Sequence, residues 1–117
     1  MYIDGFVIAV PKENKELYSK FAGKAAQYFK KLGATRVVEC WQSDVPHGKT
    51  TDFFGAVKAK DNEEVIFSWI EYPSKEVRDE ANKKMMDDPE MKEMDENMSF
   101  DGSRMIFGGF ETILNVQ

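Results

Sequence analysis

The 117-residue sequence holds one cysteine, one histidine and four prolines. A single thiol, Cys40, excludes an intramolecular disulfide and suits a reducing cytoplasm. His47 and Cys40 stand in different settings, and no acidic loop carries cation-binding spacing, so no metal site is expected. There is no Cys-x-x-Cys, no histidine pair, no phosphate-cradling glycine loop and no Gly-x-Ser-x-Gly turn, and no cofactor is expected either. Positive charge is in short supply: 16 Lys and Arg face 21 Asp and Glu, for a net charge of −5. Without a basic stripe, neither nucleic acid nor an anionic membrane surface is a natural partner. Long apolar runs are missing as well. Residues 6–10 are too short for a signal-peptide core, and no segment approaches a membrane span. In a cytoplasmic chain the sequon-like Asn97-Met98-Ser99 is a chance match.

What is present is a heavy aromatic content, 13% of residues with nine Phe and two Trp. At this length the whole chain, 1–117, reads as one domain with a real core. Residues 2–10 form a strand closed by Pro11. Residues 14–32 form a helix whose stripe is Leu17, Phe21, Ala25, Tyr28, Phe29 and Leu32, stopped by Gly33. Strands follow at 35–43 and 64–72, the latter closed by Pro73. Ser74 caps a helix to about Met86, with Val77, Ala81 and Met85 on its stripe. Asp88-Pro89 starts a short extra turn, Asp101-Gly102 is a turn, and 103–116 is the last strand. The two halves repeat strand, proline, helix, strand. This order gives an α+β, ferredoxin-like βαββαβ domain with an antiparallel sheet. The 46–63 connection is long for neighbouring strands, and an extra strand at 53–60 is expected within it.

The strands look apolar on both faces. Val65, Phe67 and Trp69 alternate with Ile66 and Ile70. Two helices cover one face only, so the other is expected to meet a second copy of the chain. One residue set contains Phe6, Ile8, Val37, Trp41, Phe67, Trp69, Met105 and Phe107, with the acids Asp4, Glu39, Glu71 and Glu111. The other is built on small residues, namely Gly5, Ala9, Cys40, Ser68 and Gly108, beside Ile3, Val7, Val38, Ile66, Ile70 and Ile106. Small residues let helices approach, so this set is assigned to the helices and the aromatic, acidic set to the partner subunit.

Carboxylates on a covered face must be paired, hydrated or protonated. Glu39 and Glu71 are therefore the candidate catalytic residues among these acids. His47, in the long connection near Asp44 and Asp52, is a further acid–base candidate, although a surface turn beside Pro46 and Gly48 fits it better. Trp41, Trp69 and Phe67 are the candidate ligand-binding residues. Cys40 is expected to be a buried structural thiol. Gly108-Gly109 marks close packing or a bulge. Five methionines between positions 85 and 98 would form an adaptable surface or helix-side core.

Several strings carry a resemblance: Asp4-Gly5-Phe6; Glu39-Cys40-Trp41 with Ser43-Asp44-Val45-Pro46; the run from Phe67 through Glu71-Tyr72-Pro73-Ser74 to Asp79; Phe100-Asp101-Gly102; and Arg104-Met105-Ile106 with Gly108-Gly109-Phe110. Through them the chain resembles the YbaA-like bacterial family of unknown function over nearly its full length. The resemblance implies a dimeric α/β barrel, in which two ferredoxin-like sheets close on each other, and it brings no catalytic residue set. Two functions follow as expectations. One is a cytoplasmic homodimer binding a small organic molecule, as a cofactor-independent enzyme of monooxygenase or isomerase type. The other is a non-catalytic stress-related or interaction module.

Overall fold

Strand β1, Tyr2–Pro11, is one of the sheet's two inner strands, and its proline stands at its end, where no ladder is interrupted. A 3-10 turn, Lys12–Asn14, leads into helix α1, Lys15–Lys31, and then strand β2, Arg36–Trp41. The 46–63 connection holds one short helix, α2, Phe53–Ala56. Strand β3, Glu63–Tyr72, helix α3, Lys75–Met86, helix α4, Pro89–Glu96, and strand β4, Ile106–Glu111, complete the chain. This computed structural model describes residues 1–96 and 99–117. Asn97 and Met98, which belong to the sequon-like triplet and the methionine run, lie outside the described residues. Among the described residues no helix is long and apolar enough to cross a membrane.

The four strands lie in the order β2-β3-β1-β4, every neighbouring pair antiparallel. With crossovers through α1 and α3, this is the ferredoxin-like arrangement. The helix ends follow local chemistry. Gly33 takes φ +117°, and the Gly33 and Ala34 amides donate to the carbonyls of Lys30 and Phe29 at 3.2 and 3.0 Å, closing α1 in a Schellman motif. The Ser74 hydroxyl accepts from the Val77 amide at 3.3 Å and caps α3. Asp88 accepts from the Glu90 amide at 2.9 Å where α4 begins.

Register decides the faces. Phe6 pairs with Ser68 and Phe107, and Ser68 with Glu39, so these four share one rung beneath the helices. Asp4, Ile70, Val37 and Gly109 form the next rung, and Ile8, Ile66 and Trp41 another. The core lies there. Ile8, Val10 and Ile66 pack on Tyr18 and Ala22 of α1, while Ile70 and Tyr72 pack with Ala34 and Ala81. The expected assignment of faces holds for β3 alone. Phe67, Trp69 and Glu71 do face away from the helices. On β1, β2 and β4 it is reversed: Phe6, Ile8, Val37, Trp41, Asp4 and Glu39 face the helices, and Gly5, Ala9, Val38, Cys40 and Gly108 do not. The two-residue period sorts each strand internally, but a one-residue offset between strands exchanges the faces, and only pairing fixes it.

The small residues serve the open face instead. The Phe110 ring lies over Gly5 and Gly108, where an added Cβ would stand 3.6 and 3.5 Å from it. Ala9 and Val65 accept Val57 of the connection, which is buried with them. The expected strand at 53–60 is a helical turn because Asp52 caps it, accepting from the Gly55 amide at 2.6 Å. The last strand is shorter than 103–116. A 3-10 turn occupies Gly102–Arg104, and the pairing with β1 ends at Glu111 opposite Tyr2, with the next amide, that of Thr112, donating to the Met1 carbonyl at 3.4 Å. Cys40 is exposed rather than buried, because β2 is an edge strand and the thiol lies on its uncovered side. Leu17 likewise leaves the expected α1 stripe and is exposed. The buried line runs through Tyr18 and Ala22.

A buried ion pair anchors the long connection. Arg104 donates to both oxygens of Glu63, at 2.7 and 2.6 Å, and to the Lys58 carbonyl at 2.8 Å.

Candidate functional site

Asp4 and Glu39 interrupt otherwise apolar strands on the helix-facing side, and above them the helices do not close fully on the sheet. A cavity of about 350 Å³ remains, with its floor on the sheet and its roof on α1, α3 and α4. Helix α1 contributes Tyr18, Phe21, Ala25 and Phe29, spaced to share one face. Helix α3 contributes Arg78, Asn82 and Met85 at i, i+4 and i+7. Met91 and Met94 of α4, with Phe100 and Met105, close the rest.

Two polar groups stand in this apolar shell. In the first, the Tyr18 hydroxyl donates to Glu39 Oε1 at 2.6 Å. Glu39 keeps solvent contact along the edge of the sheet, yet burial of its carboxyl raises its pKa above the ordinary 4.5, while the Tyr18 and Ser68 hydroxyls pull it back. Tyr18 is itself driven well above its usual range by burial and by the adjacent carboxylate. In the second, Arg78 Nε forks onto both oxygens of Asp4, at 3.0 and 3.2 Å, and Nη1 meets Asp79 at 3.0 Å. Burial raises the Asp4 pKa, opposed by Arg78. The guanidinium lies over the Tyr2 ring, 5.2 Å from its centre. Gly109 makes this seat possible, since a Cβ there would stand 2.7 Å from Arg78 Nη2. A carboxyl with a raised pKa beside a hydroxyl, in an apolar chamber, can take and return a proton.

Of the residues expected at a site, Glu39 is on the cavity floor. Trp41 shares its strand and face, but its indole donates to Glu64 at 3.1 Å and its ring carries the Lys15 ammonium at 5.3 Å. Phe67, Trp69 and Glu71 lie on the opposite side of the sheet and cannot join Glu39 and Trp41 around one ligand. This corrects the grouping of the three aromatics, and register is again the reason. Glu71 is also engaged: Trp69 donates to it at 2.9 Å, and Arg36 stands 3.8 Å away. His47 is on the surface, stacked on Phe54 at 4.4 Å and 3.5 Å from Asp52, remote from the chamber. Tyr18, Ser68, Arg78 and Asn82 were not foreseen as site residues. The i, i+4, i+7 row of Arg78, Asn82 and Met85 beside the Val77–Ala81 stripe was the signal available for α3. Among the described residues no cluster of His, Cys, Asp and Glu is arranged to hold a metal ion.

The open face carries a second concavity, a shallow apolar groove of about 720 Å³ edged by Ile3, Val7, Phe67, Trp69, Ile106 and Leu114. Phe67 is 49% exposed and Phe110 61%.

Residues 1–102 match the family described as "Protein of unknown function (DUF1428)". The chain is 67% identical over 114 residues to "Uncharacterized protein YbaA" of Escherichia coli (strain K12), covering 97% of each chain. It is similar to the same degree and extent to the YbaA protein of Shigella flexneri. In structure it is similar to a dimeric ferredoxin-like protein from an uncultured marine organism, with a TM-score of 0.66 at 15% identity, covering 100% of this chain and 99% of the other. That likeness is one of fold.

Proposed function

The chain belongs to the DUF1428 family of proteins of unknown function, and from that premise we propose that it is a cytoplasmic homodimer whose subunits each bind a small organic molecule between sheet and helices. The observation that carries this reading is the chamber itself, an apolar cavity beneath the helices whose floor presents the Glu39 carboxyl with the Tyr18 hydroxyl bonded to it at 2.6 Å. Ligand sites have this composition: an apolar lining with a few converging polar groups. Glu39, with Tyr18 and Ser68 beside it, would act as the acid–base group of a cofactor-independent reaction, and Arg78 would fix Asp4. The uncovered apolar sheet face supports the dimer, as does the dimeric state of the similar ferredoxin-like protein. The shallow groove on that face then becomes subunit contact, and the chamber beneath the helices remains for the ligand.

A thermal-shift screen of the purified dimer against small aromatic and aliphatic metabolites tests the reading. Compounds that raise the midpoint in the native chain, and not in an Ala25→Phe variant that fills the cavity, are the expected result. No shift from any compound, or shifts that survive in Ala25→Phe, would leave the non-catalytic module as the better account.

A further inference from the structure

The chamber's charges restrict what can enter it. Its lining, among the described residues, includes one cation, Arg78. Two of its nitrogens already face carboxylates, Nε on Asp4 and Nη1 on Asp79, and Nη2 lies against Gly109. Lys75 also pairs with Asp79, at 2.7 Å, so the carboxylates of Asp4 and Asp79 are balanced by two cations, whereas Glu39, among the described residues, receives only the neutral hydroxyls of Tyr18 and Ser68. An incoming anion would meet the unbalanced charge of Glu39 and an arginine whose Nε and Nη1 already face two carboxylates. An incoming cation would lose its hydration in a chamber walled by phenyl rings and thioethers, where Asp4 is already held by Arg78 and Glu39 alone is left to receive it. A neutral molecule avoids both costs. The walls favour a ring: Phe6, Phe21, Phe29 and Phe100 present aromatic edges and faces, and methionine sulfur makes favourable contacts with ring edges. A volume of about 350 Å³ is at the small end of ligand cavities.

Building on the cavity reading above, we infer that the site selects an uncharged small aromatic molecule whose O–H or N–H donates to Glu39, and that it rejects carboxylates and phosphates of the same size. Glu39 is then the specificity-determining acceptor and Arg78 a positioning residue that holds Asp4.

Four probes on one ring test this by calorimetry on the intact protein: para-cresol, para-toluate, para-methylbenzylammonium and para-xylene. Para-cresol is expected to bind tightest, with toluate about tenfold weaker or worse. Its advantage over xylene should vanish in Glu39→Leu. Should that variant fail to fold, the red shift of bound cresol's phenolic absorption on hydrogen bonding to a carboxylate gives the same information in the native chain. Toluate or the ammonium binding best, or xylene equalling cresol, overturns the inference while leaving the cavity reading standing. If none of the four binds, or if binding persists in Ala25→Phe, both fall.

Discussion

Arg104 grips Glu63 through two short hydrogen bonds, and neither side chain is more than slightly exposed. Those hydrogen bonds hold the Glu63 carboxyl below its ordinary 4.5. For a carboxylate lowered in the folded state, the associated stability is present above the unfolded value and is lost as pH falls through the folded one. Arg104→Met should cost about 3 kcal/mol at neutral pH, because it strands a buried carboxylate, and should flatten the acid limb of the stability curve. Urea denaturation across pH measures both, and Glu63→Leu in the same chain should restore most of the loss. Glu39 has the opposite sign. Its raised pKa means that ionisation disfavours the folded chain above the folded value, a cost absent below the unfolded one. Glu39→Gln is therefore expected to leave the melting temperature unchanged or raised at neutral pH, while removing any acid–base activity. A lowered melting temperature would count against this. Glu39 was legible as a candidate because an acid inside an apolar strand needs an explanation. Tyr18 was not, because its role depends on α1 crossing β2, a contact between residues 21 positions apart.

Helix ends and strand faces differ in what determines them. Capping is local, so Ser74, Asp88 and Gly33 announced their roles from a few neighbouring residues. Gly33→Ala is expected to cost about 1–2 kcal/mol in denaturant unfolding, since the positive φ penalises any side chain. A Cβ there would also stand 2.7 Å from Val77. Ser74→Ala should cost about 1 kcal/mol, with no effect on the cavity. Faces are set by pairing between distant strands, which is why Phe67 and Trp69 were placed correctly and Trp41 was not. The small residues added to the error. Gly5 and Gly108 look suited to helix contact, and they instead lie on the open face beneath the Phe110 ring, which a Cβ at either would meet at ordinary contact distance. The element order and the ferredoxin-like topology were readable from strand and helix spacing. The roof formed by α3 and α4 was not, because its row of Arg78 and Asn82 is polar and acquires a partner only when Asp4 arrives from β1.

At the scale of the whole molecule, the open sheet face and the C-terminal tail together leave a large apolar area uncovered, with Ile113 96%, Leu114 78% and Val116 81% exposed. Phe67→Asp is expected to shift the protein toward monomer in sedimentation at micromolar concentration while leaving its circular dichroism unchanged. A dimer that survives this change would place the subunit contact elsewhere. The alternation along β3 gives this arrangement a further property. Ser68 belongs to the chamber, and its immediate neighbours Phe67 and Trp69 belong to the opposite surface. A single layer of backbone thus separates occupancy from association. In the proposed dimer, a guest that worsens the fit between subunits would be held more tightly after dilution, and one that improves the fit would be held less tightly, because the coupling is reciprocal.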